Sequence, residues 1–134
     1  MTQLIDREVV KSGTPATATS RVMTMVLDGE LDRGDVDEIV AMIGTLSQDG
    51  VSELVIDFSE VTHFDYRGVK PLVRRAEVLR ELGGDLKLAG LSPYLHAIFR
   101  SAGAHDAFDY FAAADEAVRS LERGGLLYSP GHAR

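Results

Sequence analysis

Apolar residues recur along the chain at two spacings, every second residue or every third to fourth, and the switches between them outline the elements. Leu4 to Val10 alternates and predicts a first strand, followed by a connection rich in Ser, Thr, Ala, Gly and Pro over Lys11 to Ser20. Val22-Met23-Thr24-Met25-Val26-Leu27 is a second strand, stopped by Asp28-Gly29. The spacing then lengthens. Val36, Ile39, Val40, Ile43 and Leu46 fall on one helical stripe, with Asp35, Asp37 and Glu38 near the positive end of the helix dipole and Gly50 just past the last turn. Glu53 to Phe58, ELVIDF, is short, β-rich and nearly continuous in apolar residues, the pattern of a buried central strand. Ser59 to Arg67 reads as a loop. From Gly68 onward Val69, Leu72, Val73, Ala76, Leu79 and Leu82 form a second helical stripe, with Pro71 tolerated in the first turn and Gly83-Gly84 as the stop. Leu86 to Ala89 is a strand ended by Gly90. Ser92-Pro93 then opens a short helix as cap and first residue, with Leu95, Ile98, Phe99 and Ala102 inside and Gly103 closing it. Phe108 to Phe111 is a short strand or extended turn, and Ala114 to Arg123 is a last helix that packs Ala117, Val118 and Leu121.

Helix and strand alternate after the opening strands, which calls for a sheet with a parallel portion covered by crossover helices. An antiparallel pairing of the two opening strands makes the expected sheet mixed. The fold class is therefore α/β: a mixed sheet of about four to five strands flanked by about four helices. Residues 1–123 form a single domain on this division, and residues 124–134 a flexible C-terminal tail whose Leu126, Leu127 and Tyr128 are candidates to dock in a groove.

Composition narrows what such a domain does. The 134 residues suit one domain, and a chain of that length buries roughly two thirds of its unfolded surface, enough for a core without covalent staples. There is no cysteine, which excludes disulfides, thiolate nucleophiles and cysteine zinc sites together. The formal charge of -7 argues against a nucleic-acid partner, which needs a basic face. The apolar runs are far shorter than the ~20 residues that span a bilayer, so no membrane insertion is expected. The N-terminal MTQLIDREVVKSG carries charges where a signal peptide needs its apolar stretch, and the expected location is cytoplasmic. His63, His96, His105 and His132 are scattered without metal-ligand spacing, and no nucleophile and base stand at a recognisable interval. No catalytic residue, metal site or cofactor is expected.

The most informative stretch is Asp57 to Gly68, DFSEVTHFDYRG, which runs from a buried strand to a helix N-terminus, where ligands and partners of open α/β sheets meet the fold. Read as VIDFSEVTHFDYRG and followed by GVKPLVRRAEVLRELGG, it resembles the STAS family of anti-sigma-factor antagonists, in which a Val-Ile-Asp-Phe/Leu-Ser strand leads to an Asp-Ser-Ser/Thr-Gly loop and then a helix. The resemblance extends upstream to Gly29-Glu30-Leu31-Asp32 and downstream to LKLAGLSPYLHAIFRSAGAHDAF, so it spans about Val22 to Leu121. It implies a STAS-type fold and a part in bacterial signal transduction and transcription regulation. In the family an antagonist binds an anti-sigma kinase until the kinase phosphorylates the second hydroxyl of the loop. Carried over, Asp65 matches the aspartate, Tyr66 the first hydroxyl position, Arg67 the phosphoacceptor and Gly68 the glycine. Arginine accepts no phosphate by this chemistry. It sets a positive charge where phosphoserine would add about -1.5 to -2 at a helix N-terminus. Ser59, Thr62 and Tyr66 are fallback acceptors, although a loop hydroxyl is usually a turn or capping group.

Each loop residue has two readings. Asp65 is a partner-binding carboxylate or a cap, and Tyr66 an interface anchor or a half-buried ring over the strand end. Arg67 pairs with an acidic partner or is simply solvated, while Gly68 supplies backbone freedom. Lys70, Arg74, Arg75 and Arg80 on the following helix form either a basic strip beside Arg67 or a solvated face balanced by Glu77 and Glu81. By resemblance Asp32 lies near the partner face. The expected function is a non-enzymatic interaction module that docks an anti-sigma factor or related kinase-like protein through Asp65, Tyr66, Arg67 and Gly68, supported by Asp32, Lys70 and Arg74. A second expectation is a scaffold or accessory STAS subunit of a larger signalling or lipid-transport assembly. A nucleotide or small-ligand sensor has least support, since no glycine-rich phosphate cradle is present. A homodimer or larger assembly is left open.

Overall fold

The structure, a computed structural model, describes residues 22–127. The expected strand Leu4 to Val10, its connection and the end of the tail from Tyr128 lie outside the described residues. Strands β1 (Val22–Leu31), β2 (Glu53–Phe64), β3 (Asp85–Ala89) and β4 (Tyr110–Phe111) form one sheet in that spatial order. Helices α1 (Arg33–Gln48), α2 (Val69–Glu81) and α3 (Pro93–Ser101) are the crossovers, and α4 (Ala114–Leu127) closes the described chain. All pairings among the described residues are parallel. The antiparallel pairing expected for the opening strands involves residues outside that range.

The period-two alternation of β2 builds the two faces. Leu54, Ile56 and Phe58 point into the main core with Met25, Leu27, Leu86 and Leu88, where α1, α2 and α3 add Val36, Ile39, Ile43, Leu72, Leu79, Leu95 and Phe99. Val55 points the other way, to a smaller cluster with Val22, Ala89 and the α4 residues Ala117 and Leu121.

β1 and β2 run on well past the end of β3, paired as far as Leu31 opposite Phe64, with bulges between Val26 and Asp28 and between Gly29 and Glu30. Ser59 to Phe64 is therefore strand and not the expected loop. Exposed Ser59, Glu60 and Thr62 gave the segment a loop-like composition, while buried Val61 and Phe64 keep it on the sheet. Other boundaries differ as well: β1 runs through Asp28-Gly29, its expected stop, to Leu31 because it stays paired with β2, and β4 holds only Tyr110–Phe111 of the expected Phe108 to Phe111. Asp32 caps α1 in a reciprocal box with Asp35, each side chain accepting the other's amide at 3.0 Å. Leu82 lies beyond the last turn of α2 and is exposed. Helix α4 continues through Gly124-Gly125 to Leu127.

A polar chain staples the β3 end of the sheet. Lys87 is buried on β3, and its ammonium donates to Asp109 at 2.6 Å and Asp85 at 3.0 Å. Burial works against the Lys87 charge, but the hydrogen bond to Asp109 and the carboxylate of Asp85 outweigh it, and its pKa is raised. Asp85 also accepts from Arg80 Nε at 2.8 Å, and Arg80 donates on to the Ala107 carbonyl at 2.7 Å. The end of α2, β3 and the approach to β4 are thus tied together.

Candidate partner-binding site

The site grows from the end of the long β1–β2 ribbon. The Asp65 amide donates to the Leu31 carbonyl at 3.0 Å, which fixes the chain as it leaves β2. The Asp65 carboxylate then caps a single 3-10 turn, Tyr66–Gly68, by accepting the Arg67 amide at 2.9 Å. The Arg67 guanidinium folds back onto the same carboxylate, with Nε to Oδ1 at 3.1 Å and Nη2 to Oδ2 at 2.8 Å. This forked, charge-assisted pair and the amide hold the Asp65 carboxyl down at about 2. The Arg67 charge is consequently engaged within its own loop, and the net positive charge expected at this position is largely cancelled by Asp65.

Gly68 is buried with φ -86, a conformation open to any residue, so backbone freedom is not its role. A Cβ at this position would lie 2.2 Å from Cγ1 of Val36 on α1. Glycine is needed because the turn is pressed against α1.

Tyr66, between these fixed residues, is 60% exposed, so the ring stands out from the surface and does not cover the strand end. Two hollows flank it. The larger, about 490 Å³, is walled by His63, Tyr66, Arg67, Tyr94 and Ile98. The other, about 370 Å³, lies among Tyr66, Arg67, Lys70, Ser101 and Ala102. Ile98 on α3 and Ala102 at its C-cap are one turn apart, so the hollows follow that helix on either side of Tyr66. The His63 Nδ1 and Tyr94 hydroxyl lie 2.6 Å apart and join the β2 end to α3.

The other expected residues separate into two groups. Lys70 and Arg74 are exposed, one helical turn apart on α2, and make no ion pair among the described residues. Arg75 and Arg80 do not join them in a strip. Arg75 lies over α1, donating from Nε to the Val40 carbonyl at 3.0 Å, and Arg80 belongs to the Asp85 network. Asp32 sits close to Asp65 but acts as the α1 cap. Its pKa is lowered first by the Asp35 amide. Exposed Ser59 and Thr62 on β2 line neither hollow. No group of three metal-ligating side chains occurs among the described residues, and no helix there is long and apolar enough to cross a membrane. Sequence reasoning did not assign Tyr94, Ile98 or Ala102 to the site. Tyr94 carried a signal, since a large aromatic ring falls off the expected inner stripe of Leu95, Ile98, Phe99 and Ala102, of which Ile98 and Ala102 are half-buried and line the hollows.

Comparison with known proteins gives a match between residues 14–117 and the family model described as the STAS domain. The anti-sigma factor antagonist SpoIIAA in its unphosphorylated form superposes with a TM-score of 0.68 at 23% identity, covering 90% of this chain and 96% of that one. A putative anti-sigma factor antagonist from Thermotoga maritima gives 0.70 at 13% identity, over 77% of this chain and 89% of the other. A sulfate transporter family protein from Wolinella succinogenes gives 0.66 at 18% identity, over 87% and 95%. At these identities the likenesses speak for the fold.

Proposed function

The chain belongs to the STAS domain family, and on that footing we propose that it is a non-enzymatic protein-interaction module that binds an anti-sigma factor or related kinase-like protein through Asp65 to Gly68 and the start of α2. The observation that carries this reading is the exposed Tyr66 held on a rigid turn between two hollows. A preformed anchor loses little conformational freedom on docking, and tyrosine is a frequent anchor of protein interfaces. The Asp65–Arg67 fork and the packing of Gly68 on Val36 supply that rigidity. With Arg67 at the phosphoacceptor position, the module stays binding-competent in the presence of kinase and ATP.

The test is co-purification with a histidine-kinase-like anti-sigma factor encoded near the chain. The wild type is expected to form a complex that survives ATP without phosphate on the loop, Tyr66→Ala to lose it, and Arg67→Ser to take up phosphate and dissociate. A complex indifferent to Tyr66→Ala would place the interface elsewhere. The second reading, a fixed subunit of a transport assembly, draws on the same missing hydroxyl. Co-purification with a permease and its ATPase in place of the kinase would favour it.

A further inference from the structure

The groove along α3 has a chemistry that selects among partner segments, and the inference from it rests on the interaction-module reading above. Of the four large apolar side chains exposed among the described residues, Tyr66 and Tyr94 both stand on this groove. Ile98 and Ala102 give it an apolar floor. Its one lining carboxylate, Asp65, is fully engaged by Arg67. The lining cation Lys70 has no ion-pair partner among the described residues, and Arg74 repeats that condition one turn further along α2. Beside the apolar trough a chain with a formal charge of -7 thus presents two cations without ion-pair partners among the described residues.

We propose that this groove takes an acidic amphipathic helix of the partner, with apolar side chains seated in the hollows on either side of Tyr66 and carboxylates one turn apart on Lys70 and Arg74. Two hollows separated by a ridge suit anchors at helical spacing, the helix-in-groove mode of recognition. Complementary charge fixes the orientation of that helix. The net negative charge of the chain opposes an acidic partner only at long range, where salt screens it beyond about 10 Å at 0.1 M ionic strength. At contact distance Lys70 and Arg74 face the partner, and a basic helix would meet them with like charge.

A display library of random peptides about sixteen residues long, enough for about four helical turns, is selected on the full-length chain and counter-selected on Tyr66→Ala. Tyr66-dependent peptides are expected to carry apolar anchors at helical spacing and an excess of Asp and Glu. They should shift the backbone amide signals of Tyr94, Ile98 and Ala102. The double variant Lys70→Glu/Arg74→Glu, altered only at exposed positions, should weaken them about tenfold or more at low salt. Peptides that are basic or uncharged, affinities unmoved by the double variant, or a selection with no Tyr66-dependent peptide would each overturn the inference. The two readings fail separately. An anti-sigma-factor complex lost with Tyr66→Ala but untouched by Lys70→Glu/Arg74→Glu keeps the module and removes the acidic helix. A complex untouched by Tyr66→Ala removes the module itself.

Discussion

The Asp65 carboxylate accepts three N–H groups from a residue two places along, and this works because the 3-10 turn brings the Arg67 amide and guanidinium to the same side. A depressed folded-state pKa contributes stability that is present above the ordinary carboxylate value of 3.8 and is lost progressively as pH falls from there through about 2. The loop is therefore expected to be unchanged from neutral pH down to 4. A carboxyl-carbon NMR titration of Asp65 should show a midpoint close to 2, rising toward the ordinary value in Arg67→Ser. A midpoint near 4 in the wild type would mean that the fork does not persist in solution. The sequence supplied the residue types here. It did not reveal that the two charges satisfy each other, because charges two residues apart meet only in a particular turn.

At α3 the element boundaries followed the local chemical signals. Ser92 accepts the Leu95 amide as the α3 cap with Pro93 behind it, and Gly103 takes φ +83 after the last turn, as read. Boundaries set by pairing were harder to see, and β2 continues through polar residues because β1 lies alongside it. The contact between the turn and α1 belongs to the same class. Gly68→Ala tests it cleanly, since alanine is preferred over glycine in helical backbone by roughly 1 kcal/mol, whereas overpacking against Val36 costs about 1–3 kcal/mol. Packing should win, with net destabilisation in a urea melt. Gly68→Ala with Val36→Ala should be less destabilised than the sum of the single changes, because the smaller side chain admits the new methyl. A neutral or stabilising Gly68→Ala would show that the turn can lift off α1 freely.

Across the molecule the two sides of the sheet are unequal. The main core unites three helices, while α4 rests on Val22, Val55 and Ala89 through Ala117 and Leu121. Amides of Leu54 to Asp57, paired on both sides at the centre of the sheet, should exchange hydrogen only through global unfolding, and those of Ala117 to Leu121 at a lower free energy. Equal protection in native-state hydrogen exchange would mean that α4 opens only with the whole domain. Sequence alone determined the α/β class, the order of helices and strands among the described residues, and the Ser92-Pro93 start and Gly103 stop of α3, because hydrophobic period and capping chemistry act within a few residues. Only the tertiary structure decided that Gly68 answers to Val36, that Arg75 is taken up by α1 and Arg80 by the Asp85 network while Lys70 and Arg74 make no ion pair among the described residues, and that Tyr94, Ile98 and Ala102 complete a groove with Tyr66. Those relations join residues about thirty or more positions apart, or sort neighbours on one helix by what lies opposite them, and chain packing alone brings such partners together.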